Sequence, residues 1–490
     1  MAAEPQIALT ALLDRLPEAK VTGNHTQLVT AIEIDSRSVS PGALFVALRG
    51  SHTDGHLYAA QAIERGASAI VVEESAQVAE RAGATVIRVA DSKRALSILS
   101  AAFYGDPSRQ LDVIGVTGTN GKTTTTRMVA AILNAAAIPC GVIGTVGAEL
   151  ASRRWQLGNT TPLPPELHAV LAAMREDGAR AVAVEVSSHA LALERVEDVR
   201  FKVAAMTNVT RDHLDFHESQ SAYAAAKRHL FELTQAGVLN VDDAYGRQWA
   251  LELERAGRRV VTYGNECAAN LAARDIVLEP AGSRFTANGQ AYELHLPGRF
   301  NVWNALAAIG IAQLLGIGDA TVARGLATLQ RVPGRMERVG GMGIDVVVDY
   351  AHTPDALENA LRALRETTAG AIAIVFGCGG DRDRGKRADM GAVAARLADR
   401  LYLTSDNPRS EKPRAIVDDM LAGIPNGARH VVELDRRLAI ERAIAEARPG
   451  DVVLVAGKGH EAYQIVGEQT LAFDDAAVAR SALALLGSPR

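Results

Sequence analysis

Short apolar runs alternate with helical patterns along the first hundred residues. The runs at 43–48, 69–72 and 85–89 are typical of buried strands, and residues 57–65 carry apolar positions at helical spacing. A turn-rich stretch at 103–108 then interrupts the pattern. The sequence therefore predicts a small α/β domain over residues 1–107.

The same alternation continues through two further blocks. Strands are predicted in the second block at 111–116, 181–186, 202–206 and 237–240, and in the third at 344–348, 371–376, 400–404, 430–432 and 451–456. Pro333-Gly334 marks the boundary between these blocks. Apolar strands separated by helices form mostly parallel sheets covered on both faces. We therefore predict an α/β protein with a central domain at 108–334 and a C-terminal, Rossmann-like domain at 335–490.

Polar clusters directly follow the strands of the third block, at 349–352, 379–382, 405–409 and 457–461. Open α/β sheets bind ligands beyond the carboxyl ends of their strands. Several of these clusters are therefore predicted to converge on one cleft, although each alone is also compatible with an ordinary loop.

Composition excludes several classes of protein. The chain has 490 residues, 48% hydrophobic and 22% charged, which excludes wholesale disorder. Its net charge of −5 argues against a dedicated nucleic-acid binder. Cys140, Cys267 and Cys378 are too few and too scattered for a disulfide framework or a zinc cage, so we expect reduced thiols in a cytoplasmic protein.

No signal peptide or membrane span is predicted. Glu4 stands where a secretory signal would carry positive charge. The uncharged stretch 128–148 is long enough to cross a bilayer, but Asn134, Pro139 and three glycines interrupt it. We predict a buried helix, a turn at Ile138-Pro139 and then a strand.

Residues 113–124 carry the strongest chemical signal, a β-run followed by a glycine-rich turn and Lys-Thr-Thr at the start of a helix. The amides of such a turn and the helix N-terminus favour phosphate oxygens. Lys122 is predicted to reach the β- and γ-phosphates, and the Thr123 hydroxyl suits Mg²⁺. Val116 stands where the strict motif has glycine, so this is a variant phosphate loop with Gly118 supplying flexibility. This loop predicts that the central domain is built on a P-loop ATPase-like parallel sheet.

Two further side chains are candidate metal ligands. Glu185 follows the predicted strand at 181–184, where a metal-facing acid would lie; a strand-end carboxylate in water is the alternative. His213 lies in a polar loop at 207–215. Since Mg²⁺ prefers oxygen, a histidine ligand would indicate a second site of softer or Mn²⁺-tolerant character.

In combination these motifs resemble the Mur ligase family, the ATP-dependent amino-acid ligases of peptidoglycan precursor synthesis, from about residue 34 to 474. Residues 117–124 match the family's ATP loop. Residues 35–37, 41–42, 44–47, 50 and 54–56 resemble its uridine-nucleotide domain, and 159–162 with 185–189 its muramoyl-dipeptide side. Ser405-Asp406-Asn407-Pro408-Arg409 resembles the signature of the diaminopimelate-adding members.

The resemblance implies a role for each matched residue. The implied ATP contacts are Gly118, Thr119, Asn120, Gly121, Lys122, Thr123, Thr124, Asn304 and Arg335, with His352 a candidate on the nucleotide side. The implied metal ligands are Thr123, Glu185, His213 and Lys227, the last as an N6-carboxylysine formed with CO₂. The implied contacts of the UDP-muramoyl-dipeptide are Ser36, Ser51, His52, Thr53, Asn159, Thr160, Thr161, Ser187 and Arg195. Those of diaminopimelate are Arg382, Asp406, Asn407, Pro408, Arg409, Gly457 and Glu461.

The chemistry of the amino acid supports the last set. Diaminopimelate is lysine with a carboxylate on the far carbon, and a fixed guanidinium such as that of Arg409 binds a carboxylate through two parallel hydrogen bonds. Lysine would leave that guanidinium unpaired and be disfavoured. Arg382 could hold a carboxylate too, while Glu461 and Asp406 suit ammonium groups. Leu193 departs from the family, whose members carry a glutamine there.

The function implied is amide synthesis through an acyl phosphate. ATP, with two Mg²⁺ sites, would activate the D-glutamate carboxylate of UDP-MurNAc-L-Ala-D-Glu for attack by meso-diaminopimelate. Such an enzyme is expected to be a cytoplasmic monomer serving cell-wall biogenesis, cell shape and division, without nucleic-acid partners or membrane insertion. One alternative is a folylpolyglutamate synthetase, which would not need residues 35–37 or 406–409. Another is a P-loop nucleotide switch.

Overall fold

The computed structural model describes residues 5–50, 53–77, 84–341 and 343–486. The chain divides into two compact units. The first comprises residues 1–117, 137–204 and 226–236, and the second residues 118–136, 205–225 and 237–490. The domain bounds predicted from the sequence remain a prediction.

The N-terminal part of the first unit is a five-stranded sheet with flanking helices. Its elements are β1 (Ile7–Ala8), α1 (Leu9–Leu13), β2 (Lys20–Thr22), β3 (Leu28–Val29), β4 (Ile32–Glu33), β5 (Leu44–Val46), α2 (Ala59–Glu64), β6 (Ala69–Glu73), β7 (Thr85–Val89) and α3 (Ser92–Phe103). The strand order β2-β7-β6-β5-β4 confirms the predicted small α/β domain. The helix predicted from residue 57 begins at Ala59, because the Asp54 side chain caps a 3₁₀ turn at Gly55–Tyr58.

The middle of the chain contributes to both units. Its elements are β8 (Asp112–Thr117), α4 (Lys122–Ala135), β9 (Cys140–Gly144), β10 (Gly147–Leu150), β11 (Arg153–Trp155), α5 (Pro164–Glu176), β12 (Ala181–Glu185), α6 (Ser188–Ala192), β13 (Phe201–Met206), α7 (Leu214–His217), α8 (Gln220–Arg228), β14 (Ala236–Asn240), α9 (Ala244–Arg255), β15 (Arg259–Tyr263), β16 (Arg274–Glu279), β17 (Gly282–Ala287), β18 (Gln290–Leu294), α10 (Arg299–Leu314) and α11 (Asp319–Thr328). In the first unit β12 pairs in parallel with β8 and β9, as predicted, while β10 and β11 add an antiparallel edge that the sequence did not predict.

The stretch at 128–148 is a helix, a turn and a strand, as predicted: α4 ends at Ala135 and β9 begins at Cys140. Its last two residues already belong to β10. Among the described residues, no helix is long and apolar enough to cross a membrane.

The C-terminal part of the second unit is a doubly covered sheet. Its elements are β19 (Glu337–Gly341), β20 (Ile344–Asp349), α12 (Pro354–Thr367), β21 (Ile372–Phe376), α13 (Gly385–Leu397), β22 (Arg400–Leu403), α14 (Pro413–Leu421), β23 (His430–Val432), α15 (Arg436–Glu446), β24 (Val452–Ala456), β25 (Tyr463–Val466), β26 (Gln469–Ala472) and α16 (Asp475–Leu486). Strands β20-β24-β21-β22-β23 are parallel, and β19 is an antiparallel edge. Successive residues of β20 enter two different apolar clusters, Val347 with α12–α14 and Val346 with α15 and α16, so both faces are buried as predicted.

Candidate functional site

The residues expected to hold the uridine nucleotide are held by local hydrogen bonds. The buried Ser36 hydroxyl donates to Gln61 Oε1 at 2.7 Å. Arg37 pairs with Asp35 at 2.7 Å, and this hydrogen bonding lowers the pKa of Asp35 to about 2. Thr53 is exposed, and its hydroxyl donates to the Tyr58 hydroxyl at 3.3 Å. The predicted contacts Ser51 and His52 lie outside the described residues.

In the first unit, four of the five predicted dipeptide contacts lie around the carboxyl end of β12. The buried Thr161 hydroxyl donates to the Glu185 carbonyl at 2.8 Å and accepts the Ser187 N–H at 3.0 Å. Arg195 Nη1 donates to the Thr161 carbonyl at 3.0 Å. The Thr160 hydroxyl lies 3.1 Å from the hydroxyl of Thr145, which in turn donates to the Glu185 carboxylate. Asn159 is exposed, and Leu193, the departure from the family pattern, ends α6 and is half-buried.

The Glu185 carboxylate is buried, and Thr145 bonds both of its oxygens. Thr145 donates its N–H to Oε1 and its hydroxyl to Oε2, both at 3.0 Å. Gly144 makes the approach possible, because a Cβ there would lie 2.1 Å from Oε1. Sequence reasoning identified Glu185 but missed Thr145 and Gly144, which are distant from it along the chain.

Lys227 lies near the end of α8, among the residues of the first unit, with 1% of its surface exposed. A lysine on a solvated helix face would be exposed, so this deep burial is unusual. The other two proposed metal ligands, Thr123 and His213, belong to the second unit. Within the described ranges no group of three or more His, Cys, Asp or Glu side chains is arranged to hold a metal ion.

The phosphate loop joins β8 to α4 as predicted. The Lys122 ammonium donates to the carbonyls of Gly118 and Thr119 at 2.9 and 2.8 Å, so it folds over the loop. Gly121 has φ +91°, and a Cβ there would lie 2.3 Å from Asn304 Oδ1. A side chain at this position would therefore be both strained and obstructed. Thr124, in the first turn of α4, is buried.

Asn120 is held in place within the loop by two partners that the sequence did not indicate. The Asn120 N–H donates to Asn208 Oδ1 at 2.9 Å, and its side chain donates to Asp355 Oδ2 at 2.9 Å. Arg335 Nη2 donates to the Thr123 hydroxyl at 3.0 Å. The predicted contacts Asn304 and Arg335 thus both lie at the loop.

His213 and His352 flank one buried carboxylate in the second unit, that of Asp212. Their Nε2 atoms lie 3.3 and 3.9 Å from Asp212 Oδ2, and the Lys386 ammonium lies 3.7 Å from Oδ1. Burial alone would raise the pKa of Asp212, but His213, His352 and Lys386 outweigh it and lower the pKa. The pKa of His352 is itself lowered, chiefly by burial. His352 therefore belongs to a cluster built around the Asp212 carboxylate, and Lys386 is a member of this cluster that sequence reasoning missed.

Several of the polar clusters that follow the C-terminal strands converge, as predicted. Asn407 Nδ2 donates to Glu461 Oε2 at 2.9 Å, and the Tyr350 hydroxyl donates to Glu461 Oε1 at 3.3 Å. The fully buried Lys458 ammonium donates to Asn407 Oδ1 at 3.1 Å and lies 3.2 Å from Glu461 Oε2. The buried Asp406 carboxylate faces Gly457, where a Cβ would be 2.7 Å from Oδ2. The sequence cluster at 457–461 contains Lys458, but nothing in the sequence indicated that this lysine would be buried and would bond Asn407 and Glu461.

Arg409 and Arg382 occupy different environments. Arg409 has φ +51°, and its Nη1 donates to the Gly380 carbonyl at 2.8 Å, which fixes a half-buried guanidinium beside the cleft. The Pro408 that precedes it is buried, with its carbonyl against Gly380. Arg382 is exposed and donates to the Asp381 carbonyl at 2.9 Å. Arg409 is thus the more rigid of the two predicted carboxylate ligands.

Comparisons with known proteins agree with this arrangement. Three family models match in succession: the Mur ligase family catalytic domain at 28–104, the Mur ligase middle domain at 116–312 and the Mur ligase glutamate ligase domain at 334–459. The chain is similar to the UDP-N-acetylmuramoyl-L-alanyl-D-glutamate–2,6-diaminopimelate ligases of Geobacillus thermodenitrificans and Gloeobacter violaceus. Identities are 44% and 45% over 97% of this chain, and 99% and 97% of the relatives are covered.

A solved structure of a ligase with the same name superposes with a TM-score of 0.68 at 32% identity. The match covers 99% of this chain and 100% of the other. The predicted three-domain α/β architecture is confirmed by these matches. Relatives more than 40% identical cover nearly the whole chain, which therefore belongs to the Mur ligase family and is an amide-forming ligase.

Proposed function

We propose that this ligase uses ATP to join meso-diaminopimelate to the D-glutamate carboxylate of UDP-MurNAc-L-Ala-D-Glu in peptidoglycan precursor synthesis. One observation carries the proposal: an unbroken series of contacts links the phosphate loop to the polar cleft. Thr123 bonds Arg335, the Arg335 guanidinium lies 4.5 Å from the Tyr350 ring, and Tyr350 and Asn407 both bond Glu461. A triphosphate and an amino acid bound at the two ends of this series would be held on one scaffold.

The phosphoryl transfer rests on the cations at the loop. Lys122 and Arg335 are proposed to offset charge on the γ-phosphoryl group as it passes to the D-glutamyl carboxylate. The product of that step is an acyl phosphate and ADP. No covalent link to the enzyme is required, and the two cations act by position and charge.

The second step is attack by the amine of diaminopimelate on the acyl phosphate. Glu461 and Asp406 are proposed to bind the ammonium groups and Arg409 the distal carboxylate, so that one deprotonated amine faces the acyl carbon. The tetrahedral intermediate then expels inorganic phosphate and leaves the amide. Arg382, Asn407, Pro408 and Gly457 are proposed to complete this pocket. His352 remains a proposed nucleotide-side residue.

The chain offers donors of the kind that Mg²⁺ takes in nucleotide sites. Mg²⁺ is usually bound through one or two carboxylates and the substrate phosphates, and Thr123 and Glu185 supply a hydroxyl and a carboxylate. When bound, the ion would neutralise charge on the phosphates. We propose two Mg²⁺ sites, with His213 and carbamylated Lys227 contributing to the second, since a carbamate turns a buried cation into an oxygen ligand.

The nucleotide substrate is proposed to contact the remaining predicted residues. These are Ser36, Ser51, His52 and Thr53 for the uridine part, and Asn159, Thr160, Thr161, Ser187 and Arg195 for the muramoyl-dipeptide. The enzyme is proposed to act as a monomer in the cytoplasm. Analytical sedimentation tests the monomeric state, and cell fractionation tests the cytoplasmic location.

The decisive assay measures phosphate release with each substrate omitted in turn. The proposal requires release only when ATP, UDP-MurNAc-L-Ala-D-Glu and meso-diaminopimelate are all present. Release with ATP alone would favour a nucleotide switch, and dependence on a folate and glutamate would favour a folylpolyglutamate synthetase.

Competition between meso-diaminopimelate and lysine tests the assignment of Arg409. Arg409→Ala is expected to lower the ratio of kcat/KM values by about a hundredfold, because an arginine–carboxylate pair is lost. Arg414→Ala is the matched control, since Arg414 is exposed and pairs with Asp418, one turn away along α14. An unchanged ratio in Arg409→Ala would remove the role given to that residue.

A further inference from the structure

The hairpin of β25 and β26 is a two-stranded sheet of its own. Tyr463, Val466 and Leu471 on it are substantially exposed. An isolated two-stranded hairpin is only marginally stable in water, so a hairpin of four-residue strands needs contacts with the rest of the protein. This hairpin contacts the loop at 406–409, which carries proposed diaminopimelate ligands.

Four hydrogen bonds join the hairpin to that loop. Ile465 uses both main-chain groups: its N–H donates to Asn407 Oδ1 at 3.0 Å, and its carbonyl accepts the Arg409 N–H at 3.1 Å. The Gly467 N–H donates to the Arg409 carbonyl at 2.8 Å. The Gln464 side chain donates to the Asp406 carbonyl at 2.8 Å.

These bonds act on the strained residue of the loop. Arg409 has φ +51°, a left-handed conformation that an arginine adopts only when its surroundings impose it. The hairpin binds both the N–H and the carbonyl of Arg409, and Gln464 fixes the loop three residues earlier. The hairpin therefore determines where the Arg409 guanidinium emerges beside Gly380.

The hairpin also orients Asn407. Its Oδ1 accepts from Ile465 and from Lys458, which leaves its Nδ2 to donate to Glu461. Two of the proposed ligands, Asn407 and Arg409, thus take their orientation from a segment that follows the cleft motif at 457–461 in the chain.

Resting on the proposed function, we infer that the hairpin β25–β26 is a specificity-determining element and that Gln464 is a positioning residue for Arg409. Selectivity for an amino acid with a distal carboxylate then depends on a side chain outside the loop that binds it. A merely structural hairpin would instead affect stability and all substrates alike.

The test compares two glutamines of the same hairpin. Gln464→Ala removes the bond to the Asp406 carbonyl, whereas Gln469→Ala removes an exposed side chain of β26. For Gln464→Ala we expect KM for diaminopimelate to rise by about three- to tenfold, and the diaminopimelate-to-lysine ratio of kcat/KM to fall similarly, with KM for ATP and the Tm unchanged. Gln469→Ala is expected to match the wild type.

A second variant addresses the main chain. Ile465→Pro deletes the N–H that binds Asn407 and keeps the carbonyl that binds Arg409, and it should raise KM for diaminopimelate more than KM for ATP. Wild-type selectivity in both Gln464→Ala and Ile465→Pro would overturn the inference, as would equal changes in the KM values of all substrates. Should the wild type itself not require diaminopimelate, the proposed function fails instead.

Discussion

His168 is a fully buried histidine of α5, and neither ring nitrogen has a hydrogen-bond partner among the described residues. Burial lowers its pKa to about 4. The folded chain therefore keeps His168 neutral at pH values where the unfolded chain, with a pKa near 6.5, already binds a proton. Its contribution to stability is present at neutral pH and is lost as the pH falls from about 6.5 to about 4.

We expect the wild type to lose about 2 kcal/mol of unfolding free energy between pH 7 and pH 5 through this residue. His168→Leu should remove that part of the acid sensitivity, and urea titrations at both pH values measure it. His25→Leu, at an exposed position, is the control. Equal acid sensitivity in His168→Leu and the wild type would contradict the assignment.

Gly144 tests how closely the chain must approach the Glu185 carboxylate. In Gly144→Ala the new Cβ would meet Glu185 Oε1 at 2.1 Å and displace it from Thr145. The Cβ would also lie 2.6 and 2.7 Å from Cδ and Cγ of the buried Glu185, so the whole side chain must shift. We therefore expect a lower free energy of unfolding together with phosphate release reduced at least about tenfold, as expected when a catalytic group is misplaced. Gly158→Ala is the control, with nothing within 4 Å of its Cβ. Full activity in Gly144→Ala would refute a catalytic role for the Glu185 position.

At the scale of elements, α15 and α16 are joined by a fully buried ion pair. The Arg436 guanidinium bonds Asp475 at 2.8 and 2.6 Å, and both side chains have 0% exposure. Asp475→Asn would leave a buried cation without its counter-charge, which costs about 3–5 kcal/mol. The free energy of urea unfolding measures this loss.

The matched control is Glu441→Gln, which removes the exposed partner of Arg437 on the same helix. Exposed pairs one helical turn apart contribute little to stability, so this variant should resemble the wild type. If both variants were equally stable, the buried pair would not be what holds α15 to α16.

The sequence predicted elements whose signal is local. The β-run and glycine-rich turn before Lys122 predicted β8 and α4, and the apolar runs predicted the parallel strands. Both predictions succeeded because the spacing of apolar residues indicates directly which positions are buried. The antiparallel edge of β10 and β11 was missed, since short strands at a sheet edge carry no continuous apolar run. Gln464 and Lys386 were missed for another reason. Their partners, Asp406 and Asp212, lie 58 and 174 residues away, and no local pattern encodes that proximity.

At the scale of the whole molecule, nucleotide binding should be linked to the stability of the chain. A ligand that binds only the folded state stabilises it by about 2.7 kcal/mol at a hundred times its Kd. Mg²⁺-ATP is therefore expected to raise the thermal midpoint by several degrees, because the phosphate loop exists only in the folded chain. Lys122→Ala should abolish most of that shift, since the variant lacks the ammonium proposed to bind the β- and γ-phosphates.

The control removes a different ammonium. Lys202 is more than half exposed and pairs with Asp112 at the surface, so Lys202→Ala changes the net charge equally but leaves the loop intact. It should show the wild-type shift. Differential scanning fluorimetry over a range of Mg²⁺-ATP concentrations separates the two variants. An undiminished shift in Lys122→Ala would mean that the nucleotide is held elsewhere, and the contacts from Thr123 to Glu461 would then no longer connect the two substrates.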